Sequence, residues 1–237
     1  MILTGGVYAQ APALTADQVI AKAIDAMGGA ANLAKVESIK LTARMRFGKG
    51  ESQPLTVIAK RPSMFRLELT TGPDRITQVY DGAIGWQSVS GEHKQDPTVL
   101  TGESLAHLID QAANVIGGPL FDIEMRPTAG ELAGKEQVNG VECIKLRVTL
   151  GTGNTMDLFI DPASFLTIQE ELPMKVDGKA SVIQETVGNY RKFGSIRMAC
   201  LFVTREKGGE DGQVLEIDSV EINPATEESV FKMPAKN

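Results

Sequence analysis

The stretch "TVIAKRPSMFRLEL", residues 56–69, sets the reading of the whole chain. Apolar side chains alternate up to Ala59, stop at Lys60, Arg61 and Pro62, and resume at Phe65. A period of two is the repeat of a half-buried strand. Proline cannot donate to a sheet ladder, so two strands meet here at a cationic corner. Two readings of that corner stand side by side: Lys60 and Arg61 keep a strand end soluble around a plain turn, or Arg61 holds something.

Outward from the corner the same period recurs. Ile39, Leu41, Ala43, Met45 and Phe47 alternate with Lys40, Thr42, Arg44 and Arg46, which gives one buried and one wet face, as in an antiparallel strand. Strands are expected at residues 38–47, 55–60, 64–70, 75–80 and 85–90, with Asp81-Gly82 as a turn. After an interruption they return at 142–150, 155–160, 165–172, 180–190, 196–206 and 214–222. That makes about eleven.

Two helices complete the pattern. Thr15 and Gln18 have capping-box spacing, and Val19, Ile20, Ala23, Ile24 and Met27 repeat at helical intervals until Gly28-Gly29 stops them. A short turn follows at 31–36. Residues 101–115 form the second helix, with Leu105, Leu108, Ile109 and Ala112 on one side and Gly117-Gly118-Pro119 at its end. No linker and no fixed-period repeat divides the chain, so residues 14–236 read as one domain. A large antiparallel sheet has an apolar face that needs cover. The expected class is therefore mainly β (α+β), a curved antiparallel sheet with helices in its concavity.

Composition excludes several roles. The 237 residues carry a net charge of -6 with Lys and Arg scattered through the strands, which argues against nucleic acid as a partner. No apolar run approaches the roughly 20 residues of a membrane span. Val7, Tyr8 and Ala9 ahead of Gln10 have the small-residue spacing of a signal-peptidase site, without the basic start and long apolar stretch of a full signal. Residues 1–13 read as the remnant of an export signal or as a frayed terminus. Cys143 and Cys200 allow one disulfide, although nothing in their two strands says that they meet.

Chemistry is hard to find. His93 and His107 are the only histidines and belong to no metal-binding pattern. No nucleophile elbow occurs, and Cys143 has no nearby His to activate it. "GTGNT", residues 151–155, joins two strands and reads as a hairpin turn rather than a phosphate loop. Glu68 and Asp81 have no partner at a recognisable spacing. No catalytic residue, metal or cofactor is expected.

The motifs do resemble one family. Lys60-Arg61-Pro62-Ser63-Met64-Phe65, with Asp81-Gly82-Ala83-Ile84-Gly85-Trp86 about twenty residues on, is similar to the KRPxxF corner and DGxxxW strand of LolA-like periplasmic proteins. "SVFKMPAKN", residues 229–237, resembles their F-x-x-P ending, and "YRKFGSIRM", residues 190–198, resembles the strand entry of larger outer-membrane lipoprotein-sorting relatives. The resemblance implies an open half-barrel of about eleven strands, lidded by helices, whose concave cavity accepts lipoprotein acyl chains or other envelope lipids. It implies a periplasmic or otherwise exported protein. Arg61 falls where the carriers latch the lid, Phe65 at the mouth, and Leu67 where they place an aromatic. The expected lining is Val57, Phe65, Leu67, Leu69 and Trp86 from the sheet, with Leu105, Leu108 and Ile109 from the second helix. An alternative in the same fold is an envelope-stress regulator or scaffold, similar to RseB, that holds a protein partner.

Overall fold

The computed structural model describes residues 14–124, 130–176, 179–210 and 212–234; the expected export-signal remnant lies outside them. Helices α1 (Ala16–Ala26) and α2 (Ala30–Leu33) lead into strands β1 (Ser38–Phe47), β2 (Gln53–Lys60), β3 (Met64–Thr71), β4 (Asp74–Tyr80), β5 (Gly85–Ser90) and β6 (Gln95–Val99). Helices α3 (Gly102–Asn114) and α4 (Gly118–Glu124) interrupt the sheet. Then come β7 (Gly130–Val138), β8 (Val141–Thr149), β9 (Thr155–Ile160), β10 (Thr167–Val176) and β11 (Lys179–Gly188). The chain ends with β12 (Arg191–Phe193), β13 (Ile196–Met198), β14 (Leu201–Glu206), β15 (Gly212–Ile222) and a 3-10 turn over Glu228–Phe231.

Thirteen strands form one open antiparallel sheet in the order β6-β5-β4-β3-β2-β1-β15-β14-β11-β10-β9-β8-β7, and β12 pairs with β13 alone. The architecture matches the expectation and the strand count corrects it. Edge strands β6 and β7 are additional, as is β12, and residues 196–206, expected as one strand, divide into β13, which pairs with β12, and β14.

The helices form because the sequence caps them. The Thr15 hydroxyl accepts from the Gln18 amide while the Gln18 side chain accepts from the Thr15 amide, satisfying amides that a helix start leaves open. Val19, Ile20, Ala23 and Ile24 make the buried stripe of α1. α3 rests on β3–β5, α4 lies between α3 and α1, and α1 with α4 reaches β7 and β8. The helical layer thus bridges the two ends of a curved sheet.

Strand alternation sorts the two faces. Leu41, Ala43, Leu55, Val57, Phe65 and Leu69 are buried beneath the helices in the main core. Val79, Trp86 and Phe231 cluster on the opposite, outer face. There the C-terminal segment lies across the strands: Arg66 donates to the Val230 carbonyl at 2.8 Å, Trp86 Nε1 to the Phe231 carbonyl at 3.3 Å, and Lys60 pairs with Glu228 at 3.3 Å. Cys143 and Cys200 are both buried free thiols.

Candidate functional site

The site grows from the β2–β3 corner. Lys60 pairs with Met64 and Ala59 with Phe65 across it, so Val57, Phe65, Leu67 and Leu69 share the inner face. Phe65 pairs in turn with Tyr80, and Tyr80 with Gly85. Gly85 is where α3 docks: a side chain there would stand 2.6 Å from Leu105 Cδ1 and 3.2 Å from Leu108 Cδ2. Only a glycine lets the helix approach this closely. The lining expected from α3 therefore does face the sheet at Leu105 and Leu108, while Ile109 is half-buried.

Trp86 leaves the set. It pairs with Val79, which pairs with Arg66, and those residues point away from the helices. The tryptophan anchors the C-terminal segment instead of the inner face. Glu68 and Asp81, the two carboxylates weighed for catalysis, are likewise engaged. Glu68 accepts from Arg66 at 3.0 Å. Asp81 accepts the turn amides of Ile84 at 2.8 Å and Ala83 at 3.0 Å. Burial acts to raise the Asp81 carboxyl, but those amides and nearby Lys232 outweigh it and hold it below the usual range.

Arg61 does hold something. Its Nε donates to the Val36 carbonyl at 2.8 Å, and its guanidinium stacks 4.7 Å from the centre of the Phe121 ring on α4. One side chain thus ties the corner to the segment after α2 and to the helical layer.

A second tie lies farther along the cover and was not legible in the sequence. Buried Asp110 on α3 accepts from the Thr152 hydroxyl at 2.8 Å and from Asn154 Nδ2 at 3.0 Å. Both donors belong to the "GTGNT" turn between β8 and β9, which is a hairpin as expected. Asp110→Ala should cost about 2 kcal/mol, the scale of hydrogen bonds to a charged acceptor. The loss should appear as faster amide exchange in α3 with the central strands unchanged. Exchange in α3 at the wild-type rate would remove Asp110 from the closure.

The cover is uneven. Leu41, Ala43, Leu55 and Val57 on the inner face of β1 and β2 are buried, whereas Leu172, Ile183, Phe202 and Leu215 across β10, β11, β14 and β15 are half-buried. Among them sit two carboxylates, Glu170 and Glu185, directly opposite on neighbouring strands. Thr204 donates to Glu185 at 2.7 Å. Burial, and secondarily the Glu185 charge, pushes the Glu170 carboxyl up to about 8. Burial also raises the Glu185 carboxyl, against the Thr204 hydrogen bond.

Solved structures have this arrangement. A DUF1329 family protein from Desulfovibrio piger superposes with a TM-score of 0.61 at 11% identity, over 92% of this chain and 97% of that one. A LolA superfamily protein from Nitrosomonas europaea gives a TM-score of 0.60 at 13% identity, over 93% and 98% of the two chains. The chain has a LolA-like fold. A Vibrio parahaemolyticus domain named as an outer-membrane lipoprotein-sorting protein agrees, with a TM-score of 0.57 at 9% identity over 90% and 94%. At such identities the likeness is one of fold. No protein-family model and no curated protein matches the sequence. Within the LolA-like frame, Arg61 stands at the corner and the helices cover the concave face.

Proposed function

We infer that the protein is a non-catalytic carrier or binder of the cell envelope, exported to the periplasm, which holds lipoprotein acyl chains or other envelope lipids against the inner face of its sheet. One observation carries the reading: the helices bury the inner face over β1 and β2 but leave the apolar side chains of β10, β11, β14 and β15 half-covered. Each methylene buried there contributes about 0.8 kcal/mol, so an acyl chain is a natural occupant. The open part of the lining is Leu172, Ile183, Phe202 and Leu215; Val57, Phe65, Leu67 and Leu69, with Leu105, Leu108 and Ile109 on the helical side, join it when the helices lift, and Arg61 is the latch. Among the described residues no helix is long and apolar enough to cross a membrane.

Native mass spectrometry of protein purified from its own envelope tests this directly. A bound lipid, or uptake of an added acylated peptide, is the expected result. Protein that is consistently empty and ignores both, yet captures an envelope protein, would replace the carrier reading with the scaffold one. Arg61→Leu removes a charged hydrogen bond and a ring contact that favour the closed, empty form. Losing about 1.4 kcal/mol of that bias raises cargo affinity about tenfold, so transfer to an acceptor should slow correspondingly. Unchanged transfer kinetics would take the latch out of the account.

A further inference from the structure

The β12–β13 hairpin makes a second feature of the inner face. Its second strand, β13, is pinned to the end of α1, where the Arg197 amide donates to the Met27 carbonyl at 2.7 Å. Its base is pinned to β15, where Arg191 donates to the carbonyls of Ile217 and Asp218. Between the hairpin, α2 and the end of β15 a cleft of about 570 Å³ remains, within the range of small-molecule pockets.

The cleft has two kinds of wall. Its apolar part is Val36, Phe193, Ile196, Val220 and Ile222, of which Val36 and Ile196 are buried and the other three half-buried. Lys35 and Lys192, both exposed, add two positive charges, and neither ammonium has an ion-pair or hydrogen-bond partner among the described residues. Arg191 brings a third charge beside the same wall, stacked 5.4 Å from the centre of the Phe193 ring. Among the described residues the lining contains no acidic side chain, although the protein as a whole carries a net charge of -6. The two asparagines are occupied: Asn32 donates to the Gly28 carbonyl, and Asn223 donates to that of Lys35 and accepts the Glu37 amide. Available recognition is therefore an apolar wall ending in positive charge.

We propose that this cleft is a binding site for a single-chain amphiphile with an anionic head, the acyl chain lying on Val220 and Ile222 and the head between Lys35 and Lys192. The site rests on the lipid-binding reading above and adds to it a head-group preference. An anionic head gains from two unpaired lysines, whereas a zwitterionic head brings its own cation into the same field.

Three ligands with one palmitoyl chain test the site by calorimetry at low salt, below their micellar concentrations: palmitate, lysophosphatidylglycerol and lysophosphatidylcholine. The two anionic ligands should bind about tenfold tighter than the zwitterionic one, and 0.5 M salt should erase most of the difference. Whichever anionic ligand is tighter tells a carboxylate from a phosphodiester head. The Lys35→Glu, Lys192→Glu double variant should abolish the preference and leave lysophosphatidylcholine within about twofold. Both lysines are exposed, so circular dichroism should confirm an unchanged fold, and the corresponding methionine pair removes charge without reversing it. Anionic binding that survives both double variants overturns the site. If all three ligands bind equally, the head-group preference falls while the carrier reading stands; if none binds, both fall.

Discussion

Gly28→Ala is expected to destabilise the protein by about 3 kcal/mol or more, lowering its melting temperature by roughly 6–12 °C for a chain of this size. Gly28 follows the C-cap of α1 at a φ of +118°, where an L side chain is strained. The space is also taken: an added Cβ would lie 2.4 Å from the Ser195 carbonyl oxygen and 2.9 Å from the Ile196 Cα. Both obstacles are backbone, held by the β12–β13 pairing and by the bond from the Arg197 amide to Met27. Neither can rotate away as a side chain would. Gly29→Ala is the internal control. Its φ of +85° and ψ of 149° are a conformation used almost only by glycine, yet the nearest atom to an added Cβ is Asp25 Oδ1 at 3.9 Å, so it suffers conformational strain alone, about 1–3 kcal/mol, and should lose less than Gly28→Ala. Chemical denaturation of both variants separates strain from collision. Equal losses would mean that α1 does not seat against the hairpin. The same seat forms one wall of the lysine cleft, so Gly28→Ala should also weaken anionic amphiphiles more than Gly29→Ala does.

How much of this was legible follows from where side chains meet solvent. Strands with one buried face announce themselves, as Ile39 to Met45 and Phe65 to Leu69 did. The edges did not. β7 reads "GELAGKEQV" and is exposed along nearly its whole length, held by backbone pairing to β8, so no apolar alternation betrays it. β6 contains Asp96 and Pro97 and sits at the other edge for the same reason. Trp86 was misassigned by one residue: alternation fixes that neighbours face opposite ways, but the face belonging to the helices depends on the register from Phe65 through Tyr80 to Gly85. The tie between Asp110 and residues 152–154 joins segments about forty residues apart, with no local signal at either. The opposed glutamates had one. Asp-Gly at 177–178 is a sequence pattern favoured for two-residue hairpin turns, and a hairpin centred on it would set Glu170 against Glu185, as the β10–β11 register does.

That pair should make stability fall as pH rises through neutrality, and Glu170→Gln should remove much of the fall. Like charges directly opposite on one face of a sheet repel, and here Leu158, Leu172, Ile183 and Val187 share their face. The other titratable group close by is Tyr190, whose phenol is raised by burial first and by the Glu170 charge second. With the folded-state carboxyl at about 8 against 4.5 for an ordinary glutamate, the folded protein keeps a proton that the unfolded chain releases. Stability tied to this proton is complete below pH 4.5, declines between 4.5 and about 8, and is gone above. The total is a few kcal/mol, reduced by whatever solvent reaches the carboxyls. Asp157 and Asp161, both held low by their hydrogen bonds, act in the opposite sense at acid pH, so the informative quantity is the difference between variant and wild type. That difference should be small at pH 4 and grow to its full value by pH 9, with Glu170→Gln the more stable. Parallel curves across this range would show that no proton is held between the strands. A flat result would also change the view of the inner face, because two ionised carboxylates on its half-covered floor would repel an anionic head and push any amphiphile toward Lys35 and Lys192.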